Sequence, residues 1–256
     1  MIVELQRSGA VAKVILNRPE RMNALVPEMR EGIADRFTEL AADDSIRAVI
    51  LTAAGPAFCA SGDVTKMGDF TPASAMKRIK QSHRMVLAVA NIEKPVVAAV
   101  RGAVAGIGWS LALACDAVVA SETAKFTQVF KNVGVAPDGG AIYFLTQALG
   151  ILRAKELVYS ARRVSAEEAF ALGLVTKLVA DDALESEAEA LAEKLAAGPT
   201  FAFGNTKKMF KTMYQPSLEA FLDSEAWAQS LTLLSDDHKE GAAAFLEKRK
   251  TNFRGQ

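Results

Sequence analysis

The sequence predicts an α/β protein with a parallel sheet, followed by an all-helical C-terminal segment. Up to Gly140, short apolar runs alternate with helical periodicities, and parallel strands need such helical crossovers between them. Beyond Gly140, helical periodicity continues almost without interruption. The 256 residues, of which 50% are apolar, lie near the upper limit of what one hydrophobic core can serve.

The N-terminal elements follow from periodicity and turn residues. Two β-type runs, 2 to 6 and 10 to 16, meet at Ser8-Gly9 and predict a hairpin. The run AVILTA, closed by Gly55-Pro56, predicts a buried strand. The expected order after the hairpin is a helix over 28 to 40, a strand over 48 to 53, a helix over 73 to 92, a strand over 95 to 100, a short helix over 108 to 115 and a strand over 117 to 120.

The C-terminal part is predicted to be almost entirely helical, and Gly198-Pro199 divides a β/α core, residues 1 to 198, from a helical segment, residues 199 to 256. Because a helix cannot bury its apolar face alone, this segment is expected to pack on the core or on another subunit. The expected helices cover 141 to 149, 153 to 159, 166 to 172, 183 to 196, 201 to 213 and 217 to 250, with one strand at 176 to 179. The apolar residues of the tail are Phe221, Trp227, Leu231, Leu234 and Phe245.

Composition limits the partners and the compartment. The 30 basic residues cancel the 30 acidic ones, so the broad positive field needed for nucleic-acid or membrane binding is missing. The longest apolar stretch is interrupted by Arg101 and Asp116, which a membrane helix tolerates poorly. Cys59 and Cys115 lie in apolar or small-residue stretches, and MIVELQRSGA shows no secretion signal. We therefore expect a cytoplasmic protein that binds neither nucleic acid nor membranes.

Three familiar kinds of site are disfavoured. The glycines from Gly102 to Gly108 resemble a dinucleotide-binding turn, but they lie about 100 residues into the chain, and Asp116 follows Gly108 by only eight positions instead of about 20. Ser110 imitates a nucleophile elbow, yet it falls inside the first turns of a helix. His83 and His238 share no ligand spacing with another His or Cys, so we expect no metal.

Two glycine-containing turns, 53 to 64 and 100 to 112, each follow a buried strand. Loops leaving adjacent parallel strands can each aim one backbone N–H at a common point, and two such donors form an oxyanion hole. Small residues allow a ligand to approach the main chain closely, and the helix expected at about Gly106 to Gly108 adds its positive end. The pair of turns therefore predicts a site for a thioester or ester oxygen.

Several stretches together resemble the crotonase superfamily, also called the enoyl-CoA hydratase/isomerase family, along nearly the whole chain. The resemblance implies a crotonase-like spiral β/α core whose helical tail closes an acyl-CoA site, in a homotrimer or a hexamer made of two trimers. It does not select one reaction, because members perform hydration, isomerisation, dehalogenation, hydrolysis and ring chemistry. The stretches are VILNRPERMNAL, AVILTAAGPAFCASGDV, KPVVAAVRGAVAGIGWSLALACDAVVA, AKFTQVFKNVGVAPDGG, ALGLVTKLV and EGAAAFLEKRKTNFRG.

The resemblance assigns the oxyanion hole to the N–H groups of Gly62 and Ile107. The family often has Gly at the position of Ile107, so its β-branched side chain must point away from the thioester. Ser61 also replaces a common Gly. Arg21 is implied to lie near the CoA phosphates, with a solvated loop charge as the alternative interpretation. The main-chain contacts to a bent CoA would fall on Met22, Ala24, Ala60, Asp63 and Val64.

The acid and base positions decide the reaction. Hydratases of this family carry two Glu where this chain has Ser110 and Phe130, so the carboxylate pair that activates and delivers water is missing. Phe130 would instead keep the pocket dry. Asp138 stands where the family's Δ3,Δ2-enoyl-CoA isomerases carry a single Glu and where the ring-epoxide isomerase of phenylacetyl-CoA breakdown carries an Asp. The alternative for Asp138 is the N-cap of a helix beginning at Gly139.

A single carboxylate suits an enoyl-CoA isomerase, because one base can remove a proton at one carbon and return it at another. An apolar pocket would disfavour the charged form of Asp138 and a helix N-terminus would favour it. The alternatives are an enoyl-CoA hydratase of low activity and an acyl-CoA-binding protein without catalysis. No cofactor is expected beyond the coenzyme A carried by the substrate.

Overall fold

The computed structural model describes residues 1–66, 70–212 and 218–255, and within them the chain forms two sheets, ten α-helices and four short 3-10 helices. The strands are β1 (Val3–Ser8), β2 (Val11–Leu16), β3 (Ala48–Ala53), β4 (Val96–Val100), β5 (Ala103–Ala105), β6 (Ala117–Ser121), β7 (Lys125–Thr127), β8 (Val164–Ser165) and β9 (Lys177–Val179). The helices are α1 (Pro27–Ala41), α2 (Pro72–Asn91), α3 (Ile107–Leu113), α4 (Ala141–Leu149), α5 (Ile151–Ser160), α6 (Ala166–Ala171), α7 (Leu184–Ala196), α8 (Thr200–Thr212), α9 (Leu218–Leu233) and α10 (Asp236–Glu247).

The larger sheet has six strands in the order β1-β2-β3-β4-β6-β9. Its first two strands form the expected antiparallel hairpin, and every later pairing is parallel. Helices α1 and α2 cover one face, where Phe37 and Met85 belong to the main core, and α7 covers the other through Leu184 and Ala188. Because both faces are covered, all five residues of β4 are buried, which explains its uninterrupted apolar run.

A second sheet of three short strands, β5-β7-β8, was not predicted. The expectation of one strand after Gly140 was wrong, since β8 (Val164–Ser165) pairs antiparallel with β7. These strands are two or three residues long, too short to show an alternating pattern. The small sheet matters for the site because β5 lies inside the second glycine turn, directly before α3.

The predicted helix over 217 to 250 is also wrong as a single element. Helix α9 ends at Leu233 and α10 begins at Asp236, where the Ser235 Oγ accepts a hydrogen bond of 3.0 Å from the His238 N–H. Such a cap starts a new helix. The ends of the predicted helices at 213 and 217, and the side chain of Phe245, lie outside the described residues.

The C-terminus docks onto the region where the core and tail were predicted to divide. Arg47 donates to the Thr200 hydroxyl at 3.0 Å, to the Phe253 carbonyl at 2.7 Å and to the Gly198 carbonyl at 2.5 Å. The division near Gly198 stays a prediction.

Trp227 on α9 remains 75% exposed. Across the described part of the chain, the search for helices capable of spanning a membrane found none.

Candidate active site

A cavity of about 690 Å³ lies between the two glycine turns, α1, α2 and the segment before α4. It brings together Gly62, Ile107 and Asp138, three residues that the sequence placed in one site. Ala60, Ser61, Val64 and Phe130 also line it, as do Arg30, Phe70, Ala75, Arg78, Ile79, Val129, Asn132, Val133, Val135 and Ala136.

The two glycine turns are joined by main-chain hydrogen bonds. Cys59 N–H donates to the Ala103 carbonyl, and Ala105 N–H donates to the Cys59 carbonyl, each at 2.9 Å. At Gly106, where φ is +50°, an added Cβ would lie 2.3 Å from the Ser61 Oγ. The turns are therefore in direct contact, and glycine at 106 is required both by backbone conformation and by space.

The Gly62 and Ile107 amides are left available by this network. Their neighbours are bonded, since Asp63 N–H donates to the Leu25 carbonyl at 3.0 Å and Gly106 N–H donates to the Thr127 carbonyl at 2.8 Å. Neither the Gly62 nor the Ile107 N–H donates to an acceptor among the described residues. Ile107 is the first residue of α3, so its N–H is one that the helix itself cannot satisfy. Two free donors at one cavity can bind a thioester oxygen.

The Ile107 side chain packs against the turn that carries Asp138. Ile107 is buried, and a Cβ added to Gly139 would lie 2.7 Å from the Ile107 Cγ1. Gly139 therefore makes room for the side chain of Ile107, which stands where the family often has glycine. The contact also ties the second glycine turn to the Asp138 turn.

The predicted CoA-contact residues lie together beside the first turn. Ala60 N–H donates to the Met22 carbonyl at 2.9 Å, and Ala24 N–H donates to the Arg21 carbonyl at 3.0 Å. Met22 and Val64 are exposed, as is Arg21. This arrangement leaves both interpretations of Arg21 open, and the CoA roles of these residues stay predictions.

Asp63 has a structural role that the sequence did not reveal. Its carboxylate accepts hydrogen bonds from the Thr65 hydroxyl at 2.6 Å and from the Arg18 guanidinium at 2.7 Å. The Thr65 hydroxyl first, and the Arg18 bond second, lower the pKa of Asp63 to about 2. Since Arg18 also donates to the Ala24 carbonyl at 3.0 Å, the ion pair holds the loop of residues 18–25 against the first turn.

Asn23 was likewise missed. It is fully buried with φ +54°, and its Oδ1 accepts a hydrogen bond of 2.7 Å from the Arg18 N–H. Its Nδ2 donates to the carbonyls of Ala54 and Ala57 at 2.9 and 2.8 Å. A side-chain amide that satisfies three main-chain groups fixes this loop in the conformation that supports the site.

Ser61 occupies a conformation that favours glycine. Its φ is +84°, and the residue is buried between the two turns. The replacement of a family glycine by Ser61 is therefore accommodated, but in the left-handed region where a side chain is strained.

Asp138 does not cap α4. The helix begins at Ala141 rather than at Gly139, and its N-cap is Gly140, with no side-chain cap hydrogen bond. The cap interpretation is therefore wrong. The Asp138 Oδ1 is buried at the cavity and has no hydrogen-bond partner among the described residues. Burial raises the pKa of Asp138, while the charges of Arg30 and Arg78 act in the opposite direction.

The two hydratase positions hold no acid. Ser110 is fully buried within α3, and its hydroxyl faces the carbonyls of Asp138 and Gly106 at 3.3 and 3.4 Å, so it has no elbow geometry. Phe130 is buried in the apolar wall formed with Val129 and Val133. Among the described lining residues, Asp138 carries the only carboxyl group.

The sequence alone did not point to Arg30 and Arg78, although both line the cavity. Arg30 precedes the buried Ile33 and Phe37 by three and seven positions, which places it on the apolar face of α1. That spacing was the available signal. Arg78 on α2 lies 5.9 Å from the centre of the Phe70 ring.

Comparisons with known proteins show which family the chain belongs to. The family model for enoyl-CoA hydratase/isomerase matches residues 6–256. The chain is 37% identical over 250 residues to 1,2-epoxyphenylacetyl-CoA isomerase of Escherichia coli, covering 96% of this chain and 95% of that protein. It is 33% identical over 250 residues to crotonyl-CoA hydratase of Syntrophomonas wolfei, covering 97% and 96%.

The fold comparison gives the same result. The crystal structure of an enoyl-CoA hydratase from Bacillus anthracis superposes with a TM-score of 0.94 at 31% identity, covering 100% of both chains. The crotonase fold and the helical C-terminal segment predicted from the sequence are thereby confirmed. The chain belongs to the enoyl-CoA hydratase/isomerase family of the crotonase superfamily.

Proposed function

We propose that this enzyme is an enoyl-CoA double-bond isomerase in which Asp138 carries the proton. The observation that supports it most strongly is the cavity itself, which combines two free main-chain amides with a single carboxyl group, whose Oδ1 is buried, among the described lining residues. Its family membership supports an acyl-CoA substrate. No separate cofactor is expected.

The proposed reaction begins with the thioester oxygen between the Gly62 and Ile107 N–H groups. These donors stabilise the negative charge that develops on the oxygen when a proton leaves C2 of a 3-enoyl-CoA. The Asp138 carboxylate accepts that proton and returns it at C4, so the double bond moves to C2–C3 and the carboxylate is regenerated. No water enters the product.

The raised pKa of Asp138 suits this cycle, because the group must both accept and donate a proton. Burial makes the carboxylate a stronger base than an exposed Asp. The charges of Arg30 and Arg78 limit the rise and keep the group available in its charged form.

Hydration would require two acid–base side chains in the cavity. A hydratase holds a water molecule between two proton-transfer groups, and here the corresponding positions are Ser110 and Phe130. A low hydratase activity and acyl-CoA binding without catalysis are the alternatives. The names of relatives include both a hydratase and an isomerase, so they do not choose between these reactions.

CoA binding and assembly are parts of the same proposal. The main-chain contacts to CoA fall on Met22, Ala24, Ala60, Asp63 and Val64, with Arg21 beside the phosphates. A homotrimer or hexamer would cover exposed apolar side chains of the tail such as Trp227 and Leu234, which are 75% and 76% exposed. Sedimentation velocity tests the assembly, and a stable monomer would contradict it.

The reaction is tested by incubating the protein separately with 3-enoyl-CoA and 2-enoyl-CoA and following the double bond by NMR. The proposal predicts interconversion of the two esters without 3-hydroxyacyl-CoA. Formation of the hydroxy ester would support the hydratase alternative. Binding of both esters with no movement of the double bond would support the binding-only alternative.

A further inference from the structure

Arg30 is a buried cation at the acyl cavity that the proposed reaction does not need as a binding group. It is the fourth residue of α1, and its exposed fraction is 0%. Its Nε, Nη1 and Nη2 atoms are all buried and have no hydrogen-bond partner among the described residues. A guanidinium carries five N–H donors, and none of those on Arg30 has an acceptor among the described residues.

The fold gives no structural reason for this charge. Burying a guanidinium without a partner is strongly unfavourable, and the positive end of α1 adds to the penalty. Arg30 lies in the first turn, where its own N–H donates to the Val26 carbonyl at 3.2 Å. Burial lowers the pKa of Arg30 to about 10, so the group remains protonated at neutral pH. Its guanidinium does not bond to Asp138, whose Oδ1 is also unpaired.

The charges around the cavity do not balance. Among the described lining residues, two guanidinium groups, Arg30 and Arg78, face one carboxyl group, Asp138. With Asp138 ionised, the wall therefore carries one excess positive charge. Most of the remaining wall is apolar, including Val129, Phe130 and Val133, so this charge acts in surroundings that screen it poorly.

We propose that Arg30 binds a carboxylate on the acyl group, which makes CoA esters of dicarboxylic acids the preferred substrate class. One substrate carboxylate would neutralise the excess charge of the cavity. It would also satisfy the planar guanidinium through two parallel hydrogen bonds, the geometry in which arginine recognises carboxylates best. This inference rests on the proposed function in one respect, namely that the acyl group occupies this cavity. It does not depend on turnover by Asp138.

The test is a binding measurement with saturated CoA esters, which undergo no isomerisation. Isothermal titration compares glutaryl-CoA with pentanoyl-CoA, and adipyl-CoA with hexanoyl-CoA, so that each pair differs in a terminal carboxylate. For at least one pair, we expect the carboxylated ester to bind the natural protein at least tenfold more tightly. Equal or weaker binding of both carboxylated esters would overturn the proposal.

Variants assign the preference to Arg30. Arg30→Met should abolish it, whereas Arg36→Met, which removes a half-buried arginine that is ion-paired with Glu39 on the same helix, should preserve it. Arg30→Lys keeps the charge without the planar fork and should retain only part of the preference. A preference that survives Arg30→Met would contradict the assignment. Tight binding of 5-oxohexanoyl-CoA, equal to that of glutaryl-CoA, would show recognition of a neutral oxygen and overturn the carboxylate class.

Thermal unfolding separates ligand binding from a structural role. If Arg30 serves a ligand, Arg30→Met should keep or raise the Tm, because a buried unpaired charge is replaced by an apolar side chain of similar length. A large fall in Tm would indicate a structural role and contradict the proposal. Asp138→Asn should keep the preference for dicarboxylic esters. Failure of the proposed isomerase activity would therefore leave this preference intact, whereas failure of the Arg30 assignment would remove it.

Discussion

The cavity has two walls that are built in opposite ways. The main-chain wall lines the cavity with residues 60–62, 64 and 107, and the remaining residues of 18–25, 57–64 and 100–107 support it from behind. Its polar groups are almost fully bonded to one another through Asn23, Asp63 and the β-type contacts at Cys59. The side-chain wall comprises Arg30, Arg78, Phe130 and Asp138, and its buried Arg30 and Asp138 atoms are unpaired within the described chain.

The difference shows how this family can keep one fold and change its reaction. A bonded main chain holds two amides in place whatever the neighbouring side chains are, so Ile107 and Ser61 can replace glycines there. Side chains without protein partners are available to substrate and can be exchanged without dismantling the fold. In the proposed reaction, the main-chain wall holds the thioester oxygen, and the side-chain wall determines which reaction follows.

The largest expected effect comes from separating the two glycine turns. In Gly106→Ala, the new Cβ would lie 2.3 Å from the Ser61 Oγ, so the Gly62 and Ile107 amides must move apart. Loss of an oxyanion-hole donor lowers kcat by about 10²–10³, and we expect a decrease of this order. Gly9→Ala is the control, because Gly9 also has positive φ but a Cβ there meets nothing within 4 Å. Steady-state kinetics showing equal losses in both variants would refute the contact as the cause.

A second way to disturb the main-chain wall is to remove its central amide. Asn23→Ala deletes three hydrogen bonds and leaves their buried partners unsatisfied, so we expect a loss of about 3 kcal/mol in the free energy of unfolding. Asn205→Ala, which deletes one described side-chain bond of 3.0 Å on α8, should lose about 1 kcal/mol. Urea denaturation measures both, and a similar loss in the two variants would contradict the importance of the loop.

The side-chain wall should control how the activity depends on pH. Because the pKa of Asp138 is raised by burial, the acid limb of kcat/KM should have its midpoint above the ordinary value of 3.8. Arg30→Met removes a charge that lowers this pKa and should move the midpoint further up. An unchanged midpoint in Arg30→Met would show that the arginine does not act on Asp138.

The raised pKa of Asp138 also makes the free energy of unfolding depend on pH. A carboxyl group whose folded pKa is raised binds its proton more tightly in the native state, so ionisation above that pKa is destabilising. Asp138→Asn should therefore gain stability over the natural protein as pH rises from below 3.8 through the raised pKa. Unfolding curves at several pH values measure the difference in the free energy of unfolding between the two proteins. A difference that stays constant over this pH range would contradict the raised pKa.

The smallest expected effect is relief of strain at Ser61. With φ at +84°, Ser61→Gly should stabilise the protein by about 0.5–1 kcal/mol, because left-handed strain outweighs the added flexibility of glycine in the unfolded chain. Ser45→Gly, at an exposed residue that is not among those with positive φ, should give no gain. Thermal unfolding compares the two, and a fall in Tm for Ser61→Gly would mean that its hydroxyl contact with the Gly106 turn matters more than strain.

The sequence predicted the main-chain wall better than the side-chain wall. Buried strands such as AVILTA and the glycine turns have local signals, and β3 and α4 were placed with the correct bounds. The three-stranded sheet was missed because β5, β7 and β8 are stabilised by pairing between distant segments rather than by a local pattern.

The side-chain wall depends on contacts between elements far apart in the chain. Arg30 and Asp138 are separated by more than 100 positions, and their shared cavity exists only after α1 and the turn before α4 have packed. Asp138 was identified through a family resemblance, but its capping alternative was rejected only by the observed start of α4 at Ala141. Arg30 lay on a predicted apolar face, where a charged residue was a signal that went unused.

Asp138→Asn allows catalysis and acyl-CoA binding to be measured separately. The substitution keeps the size of the side chain and removes the base, while the Gly62 and Ile107 amides remain. We predict a fall in kcat of at least about 100-fold, the lower end of what positioned acid–base catalysis contributes, with an almost unchanged Kd for a saturated acyl-CoA. Near-natural turnover in this variant would show that the Asp138 carboxylate does not move the proton.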